Sequence, residues 1–139
     1  MDTDVIKAKL VSLQRCMQRI RQKTPSSAQQ LAADFDLQDI LILNLQRAVQ
    51  ISTDIATTIL ADTACVPSTM AEAFLLLHRQ GVLSESVAHK LAKSVGLRNI
   101  AVHEYTSLDW NVVYAVAHTH IEDFAEFGRE ISDWVKERA

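Results

Sequence analysis

The sequence is poor in the residues that turn a chain. Three glycines and two prolines occur in 139 residues, so turns are few and the elements between them long, which favours helices over a many-stranded fold. Two cysteines, Cys16 and Cys65, supply neither a disulfide framework nor a four-ligand zinc site, and suit a reducing compartment. No apolar run approaches the roughly 20 residues of a membrane helix. The charged start MDTDVIKAKL lacks the apolar core of a signal peptide. Together these absences predict a cytoplasmic protein away from the membrane. Neither G-x-x-x-x-G-K-[ST] nor G-x-G-x-x-G occurs, which removes the P-loop and the dinucleotide fingerprint. The formal net charge of −3 gives no global attraction for nucleic acid, so anion binding must be local.

What is present is helical periodicity. The length and a hydrophobic share of 48% predict one domain over residues 1–139. A first helix is expected from about Thr3 to Lys23, where Val5, Leu10, Leu13, Met17 and Ile20 recur at mostly three- and four-residue spacing and Pro25 stops the run. A second, long helix spans about Asp36 to Asp62. A short third helix opens at Ser68 or Thr69, with Glu72 completing a capping box and Gly81 as its stop. A fourth starts at Ser84 or Ser86, and a fifth covers about Leu108 to Glu137. With no strand pattern, the expected fold is all-α, an up-down bundle of about five helices.

The chemistry concentrates in Gly96 to Tyr105, GLRNIAVHEY. On one continuous helix Arg98 and His103 diverge by about 140°, whereas Arg98 and Tyr105, seven apart, align. Arg98 lies near the apolar Leu91, Val95 and Val102. An arginine there needs a carboxylate or a phosphate, and its planar fork suits either. Spacing alone leaves two readings open: a structural ion pair, for instance to Asp39, or an active site.

Other polar groups carry less. His118 and His120, two apart, cannot share a metal as an i, i+4 pair would, and no ligand cluster predicts a metal. His78 and His89 are isolated and suit surface or helix-end positions. Cys65 has no basic neighbours to activate it. Arg15, Arg19 and Lys23 form a basic stripe, a solvated face or a guide for RNA. Phe124, Phe127 and Trp134 follow helical spacing and fit packing better than base stacking. Glu122, Asp123, Glu126 and Glu130 would repel RNA, which places the last helix away from such a substrate.

GLRNIAVHEY has the form R-N-x-x-x-H-x-Y and resembles the signature of the HEPN superfamily, specifically the HepT-like toxins of HEPN–MNT toxin–antitoxin pairs. DFDLQDILILNLQRAVQISTDIA (Asp34 to Ala56) resembles that family's second helix. AFLLLHRQGVL (Ala73 to Leu83) and IEDFAEF (Ile121 to Phe127) extend the likeness over nearly the whole chain. Gln50 departs from it, standing where relatives often carry glutamate.

The resemblance implies a HEPN-like homodimer and a type II toxin acting as a metal-independent endoribonuclease on tRNA or mRNA, without a cofactor. It implies that the two R-x-x-x-x-H motifs meet across the dimer. A ribose 2′-hydroxyl would attack the adjacent phosphate, with His103 as general acid or base, since an unperturbed histidine titrates near pH 6.5. Arg98 would hold the phosphate and its growing charge, with Asn99 as an auxiliary phosphate-binding or ring-orienting group. Tyr105 would be the site where an MNT-type nucleotidyltransferase antitoxin attaches AMP. Two other classes stay open: a non-catalytic HEPN module that binds a nucleotide or partner, and a helical dimerisation domain whose Arg98 pairs internally.

Overall fold

The computed structural model describes residues 2–103 and 108–138, and the side chains at 100–103 fall outside the description. Seven α-helices occur among these residues: α1 (Thr3–Lys23), α2 (Ala28–Ala32), α3 (Phe35–Leu60), α4 (Met70–Arg79), α5 (Glu85–His103), α6 (Trp110–Ala115) and α7 (Ile121–Lys136). A π-helical turn, Val116–His120, joins α6 to α7. The all-α expectation holds, and no strand occurs among the described residues. Two features exceed the expected five helices. Residues Ala28–Ala32 form a helical turn capped by Ser27, and the last helix is interrupted by the π turn.

Short polar side chains start the helices by accepting the orphan backbone N–H groups. Asp2 accepts from Asp4 and Val5, Asp34 from Leu37, and Asp109 from Asn111. At α4 the expected box is shared by two residues: Thr69 accepts from Glu72, while the Glu72 carboxylate accepts from the backbone and hydroxyl of Ser68. Helix α4 ends as expected at Gly81, the one described residue with positive φ, at 77°. The Gly81 N–H bonds the His78 carbonyl and the Val82 N–H bonds that of Leu77, a Schellman closure with Val82 and Leu77 both buried. Ser84 then caps α5, its hydroxyl accepting from Val87.

The bundle is organised around α3, which packs against α1, α4, α5 and α2. Lys9 beside Asp54 at 3.7 Å, with Arg19 and Asn44 lining a shared groove farther along, sets α1 antiparallel to α3. Helix α7 closes the bundle against α1 and α5. Its aromatics pack as their spacing predicts: Phe124, Phe127 and Trp134 are buried, and Phe127 meets Phe74 of α4 edge to face, with centroids 5.8 Å apart.

Two stability outcomes follow. Phe127→Ala empties the α4–α7 contact and is expected to cost about 3–5 kcal/mol, read as a lower urea midpoint with little change in slope. The fully buried Ser52 hydroxyl has no hydrogen-bond partner among the described residues. Ser52→Ala removes that unsatisfied group and should raise the midpoint, by up to about 1 kcal/mol; a clear loss would show that the hydroxyl is satisfied in solution.

Candidate functional site

Helix α5 is held firmly at its start. The Glu130 carboxylate of α7 accepts from the Ser84 backbone at 2.7 Å and from its hydroxyl at 2.9 Å. Lys90 reaches Glu126 at 3.4 Å and Asp123 at 4.0 Å. Val87, Ala88, Leu91 and Val95 are buried. After Val95, Gly96 and Asn99 are exposed, and Leu97 and Arg98 half-buried. Of the motif residues, Arg98 and Asn99 thus lie on a part of α5 that is only partly covered by the core.

The helix is continuous from Glu85 to His103, so the wide angle between Arg98 and His103 holds on one chain. Among the described residues Arg98 has no hydrogen-bond or ion-pair partner. The intrachain pair to Asp39 is therefore not what holds it. Asn99 is exposed on the neighbouring face. His103 is the last residue of α5, and its side chain lies outside the described residues, as does Tyr105 altogether. The structure thus brings Arg98 and Asn99 to one exposed helix end and leaves the other two motif side chains undescribed.

Beside this end lies an apolar-lined cleft of about 460 Å³ between α3, α5 and the α6–α7 region. Leu45, Val49, Leu97 and Phe124 form its walls, with Lys93 and Ser94 from the turn before Arg98. Gln50 of α3 donates to the Asp54 carboxylate at 2.9 Å. That bond gives its departure from glutamate a physical reason, because a second acid one turn from Asp54 would repel it.

The remaining polar groups take structural places. Glu122 pairs with Arg21 at 2.9 Å. Together with Asp123, Glu126 and Glu130 it ties α7 to α1 and α5, a tethering role that charge repulsion alone did not suggest. His120 lies 3.4 Å from Asp123, and His118 stacks on Tyr114. No group of His, Cys, Asp and Glu suited to a metal occurs among the described residues. His78 and His89 are exposed near helix ends, as expected. Burial pushes the Cys16 thiol up, partly offset by the nearby Arg47 charge, so it stays protonated and inert. The basic stripe on α1 changes membership: Arg15 and Arg19 line a groove of about 550 Å³ with Arg47 of α3, and Lys23 does not. Sequence spacing within one helix has no means of pairing α1 with Arg47.

Comparison with known proteins places this geometry. The family described as Ribonuclease HepT-like matches residues 13–131. The mRNA nuclease HepT of Shewanella oneidensis is 38% identical over 89% of this chain and 93% of its own. The tRNA nuclease HepT of Aphanizomenon flos-aquae is 28% identical over 94% of this chain and 90% of its own. The structure of the tri-AMPylated Shewanella oneidensis HEPN toxin in complex with MNT antitoxin superposes with a TM-score of 0.86. It is 37% identical and covers 96% of this chain and 99% of that one. The chain belongs to the HepT-like ribonuclease family.

Proposed function

We propose that residues 1–139 form a single HEPN toxin unit that cleaves RNA as a homodimer and is silenced when an MNT-type nucleotidyltransferase antitoxin adenylylates Tyr105. The observation that carries this reading is a half-buried Arg98 with no partner among the described residues, in a chain 38% identical over 89% of its length to an mRNA nuclease. An arginine near apolar neighbours and without a protein anion is suited to a phosphate.

Arg98 and His103 diverge along α5, so one copy does not aim both at one atom. A second copy facing the first supplies the missing convergence and covers the partly exposed stretch Gly96 to Asn99. In the resulting cleft the ribose 2′-hydroxyl attacks the adjacent phosphorus. His103 takes or returns the proton, Arg98 stabilises the charge on the phosphoryl oxygens, and the bond to the 5′-oxygen breaks. The products are a cyclic phosphate and a free 5′-hydroxyl, and the route calls for neither metal nor cofactor. Asn99, one helical turn before His103, is placed to orient the imidazole or bind a phosphate oxygen. Adenylylation joins the Tyr105 oxygen to the α-phosphorus of ATP and releases pyrophosphate. The seven-residue spacing that aligns Tyr105 with Arg98 in a helical sequence pattern suits the added phosphate to compete for the arginine as well as to fill the cleft.

RNA cleavage in excess chelator is expected to persist in the wild type. It should fall by about 10²–10³ in Arg98→Ala and by about 10²–10⁴ in His103→Ala. Because Arg98 has no described partner, the same substitution should leave the urea midpoint within about 0.5 kcal/mol of wild type. Full activity with reduced stability would instead favour a structural arginine.

Coexpression with the nucleotidyltransferase should add the mass of one or more adenylyl groups to the wild type and none to Tyr105→Phe, which remains a toxin in the antitoxin's presence. An unmodified wild type beside an active transferase would refute Tyr105 as the off-switch.

A further inference from the structure

The groove between α1 and α3 concentrates positive charge outside the motif. Ser12, Arg15 and Arg19 line it from α1, and Ile40, Asn44 and Arg47 from α3. Arg15 and Arg19 stand at i, i+4, about 6 Å apart at their Cβ atoms, and antiparallel packing sets Arg47 between them across the groove.

Three arginines and no carboxylate therefore line one cavity in a chain of net charge −3. None of the three has an ion-pair or hydrogen-bond partner among the described residues. Of the acids on α3, Asp54 pairs with Lys9 beyond the groove's end, while Glu122 and Glu126 of α7 pair with Arg21 and Lys90. The floor is partly apolar and holds no aromatic ring. A basic rim over such a floor suits a flexible polyanion, whose phosphates meet the rim while its sugars and bases rest on the floor, without stacking that would select particular bases.

We infer that this groove is a docking track for single-stranded RNA, remote from the chemistry on α5 and joined to it through α3. The inference rests on the nuclease reading, and it deepens that reading by assigning substrate contacts outside the R-x-x-x-x-H motif. Binding in the groove is mainly electrostatic and indifferent to sequence. An acidic protein surface, such as one on the antitoxin, is the rival occupant; RNA is favoured because a groove lined by three arginines, with no carboxylate or aromatic ring among its described residues, matches a repeating phosphate chain better than a fixed protein epitope.

The test is the salt dependence of binding to a labelled single-stranded RNA, using wild type and Arg15→Gln/Arg19→Gln/Arg47→Gln. His103→Ala serves as the background so that binding is measured without cleavage, and circular dichroism confirms folding. The slope of log affinity against log salt should shrink by about two, since each phosphate that an arginine no longer neutralises lowers it by roughly 0.7 on single strands. In a background that retains His103, the cleavage deficit should be larger on an oligonucleotide than on a dinucleoside monophosphate. An unchanged slope with a folded triple variant overturns the proposal and leaves a solvated face. An unchanged slope with loss of antitoxin co-elution also overturns it and assigns the groove to the protein partner. Because the slope is read without turnover, it stands even if the nuclease reading fails, so the two failures are distinguishable. Arg15→Gln alone, expected to remove about a third of the change, guards against a defect peculiar to the triple variant.

Discussion

Ala48, Ser52 and Ala56 stand at four-residue spacing on α3, and all three are fully buried. Small side chains on that stripe let the flanking helices approach the α3 backbone closely. Larger neighbours on the same face, Leu41, Leu45, Ile55 and Ile59, fill the space to either side. Everything else is placed from this contact. Helix α1 lies along one flank and α5 along the other, so the arginine groove and the α5 motif become features of two seams of the same long helix. A bulky residue at Ala48 or Ala56 would push these seams apart and disturb both regions together.

Charge completes what the apolar stripe begins. Helix α7 presents acids toward α1 and α5, and each contact fixes a different part of the bundle: Glu122 holds Arg21, Glu126 holds Lys90, and Glu130 holds the first turn of α5 through Ser84. The exposed pairs are individually weak. The Glu130 contact differs, because a carboxylate accepting a backbone N–H and a hydroxyl is a charge-assisted bond at a fixed helix terminus. Drawing acids to this side leaves Arg47 of α3 without a neutralising partner among the described residues. Local positive potential in a net acidic chain is the consequence of that segregation.

Much of this arrangement is legible in the sequence. The starts of α1, α3 and α4, the Gly81 stop and the burial of Phe124, Phe127 and Trp134 follow from short-range rules about caps, glycine and periodicity. Helix α2 escapes those rules because its five residues contain one large apolar side chain, Leu31, too few to show a period. The π turn escapes them because Val113, Ala117 and Ile121 keep a four-residue spacing that an uninterrupted helix also shows. At the site, Arg98 and its neighbours are legible as a cluster that needs an anion, whereas their roles come from resemblance to a family. The Arg47 contribution to the groove is a tertiary fact, set by the register of α1 on α3, and no local pattern encodes it.

The partial exposure of Gly96 to Asn99 on α5 bears on why such a protein would act as a pair. A nuclease motif buried inside one chain would need a pocket deep enough to exclude water and yet open to a polymer. In a small helical bundle with three glycines, few loops are available to build such a pocket. In the proposed homodimer a motif on α5 would be completed by a second copy, which would meet both demands: each chain would keep a full core around α3, and the cleft would form only at the seam. The same arrangement gives the proposed modification its leverage. In the proposed dimer a group attached to Tyr105, two positions after His103 in the sequence, would act at the seam. It need not disturb the α3 core to stop the chemistry; it has only to occupy the arginine and keep the two helix ends from closing on RNA.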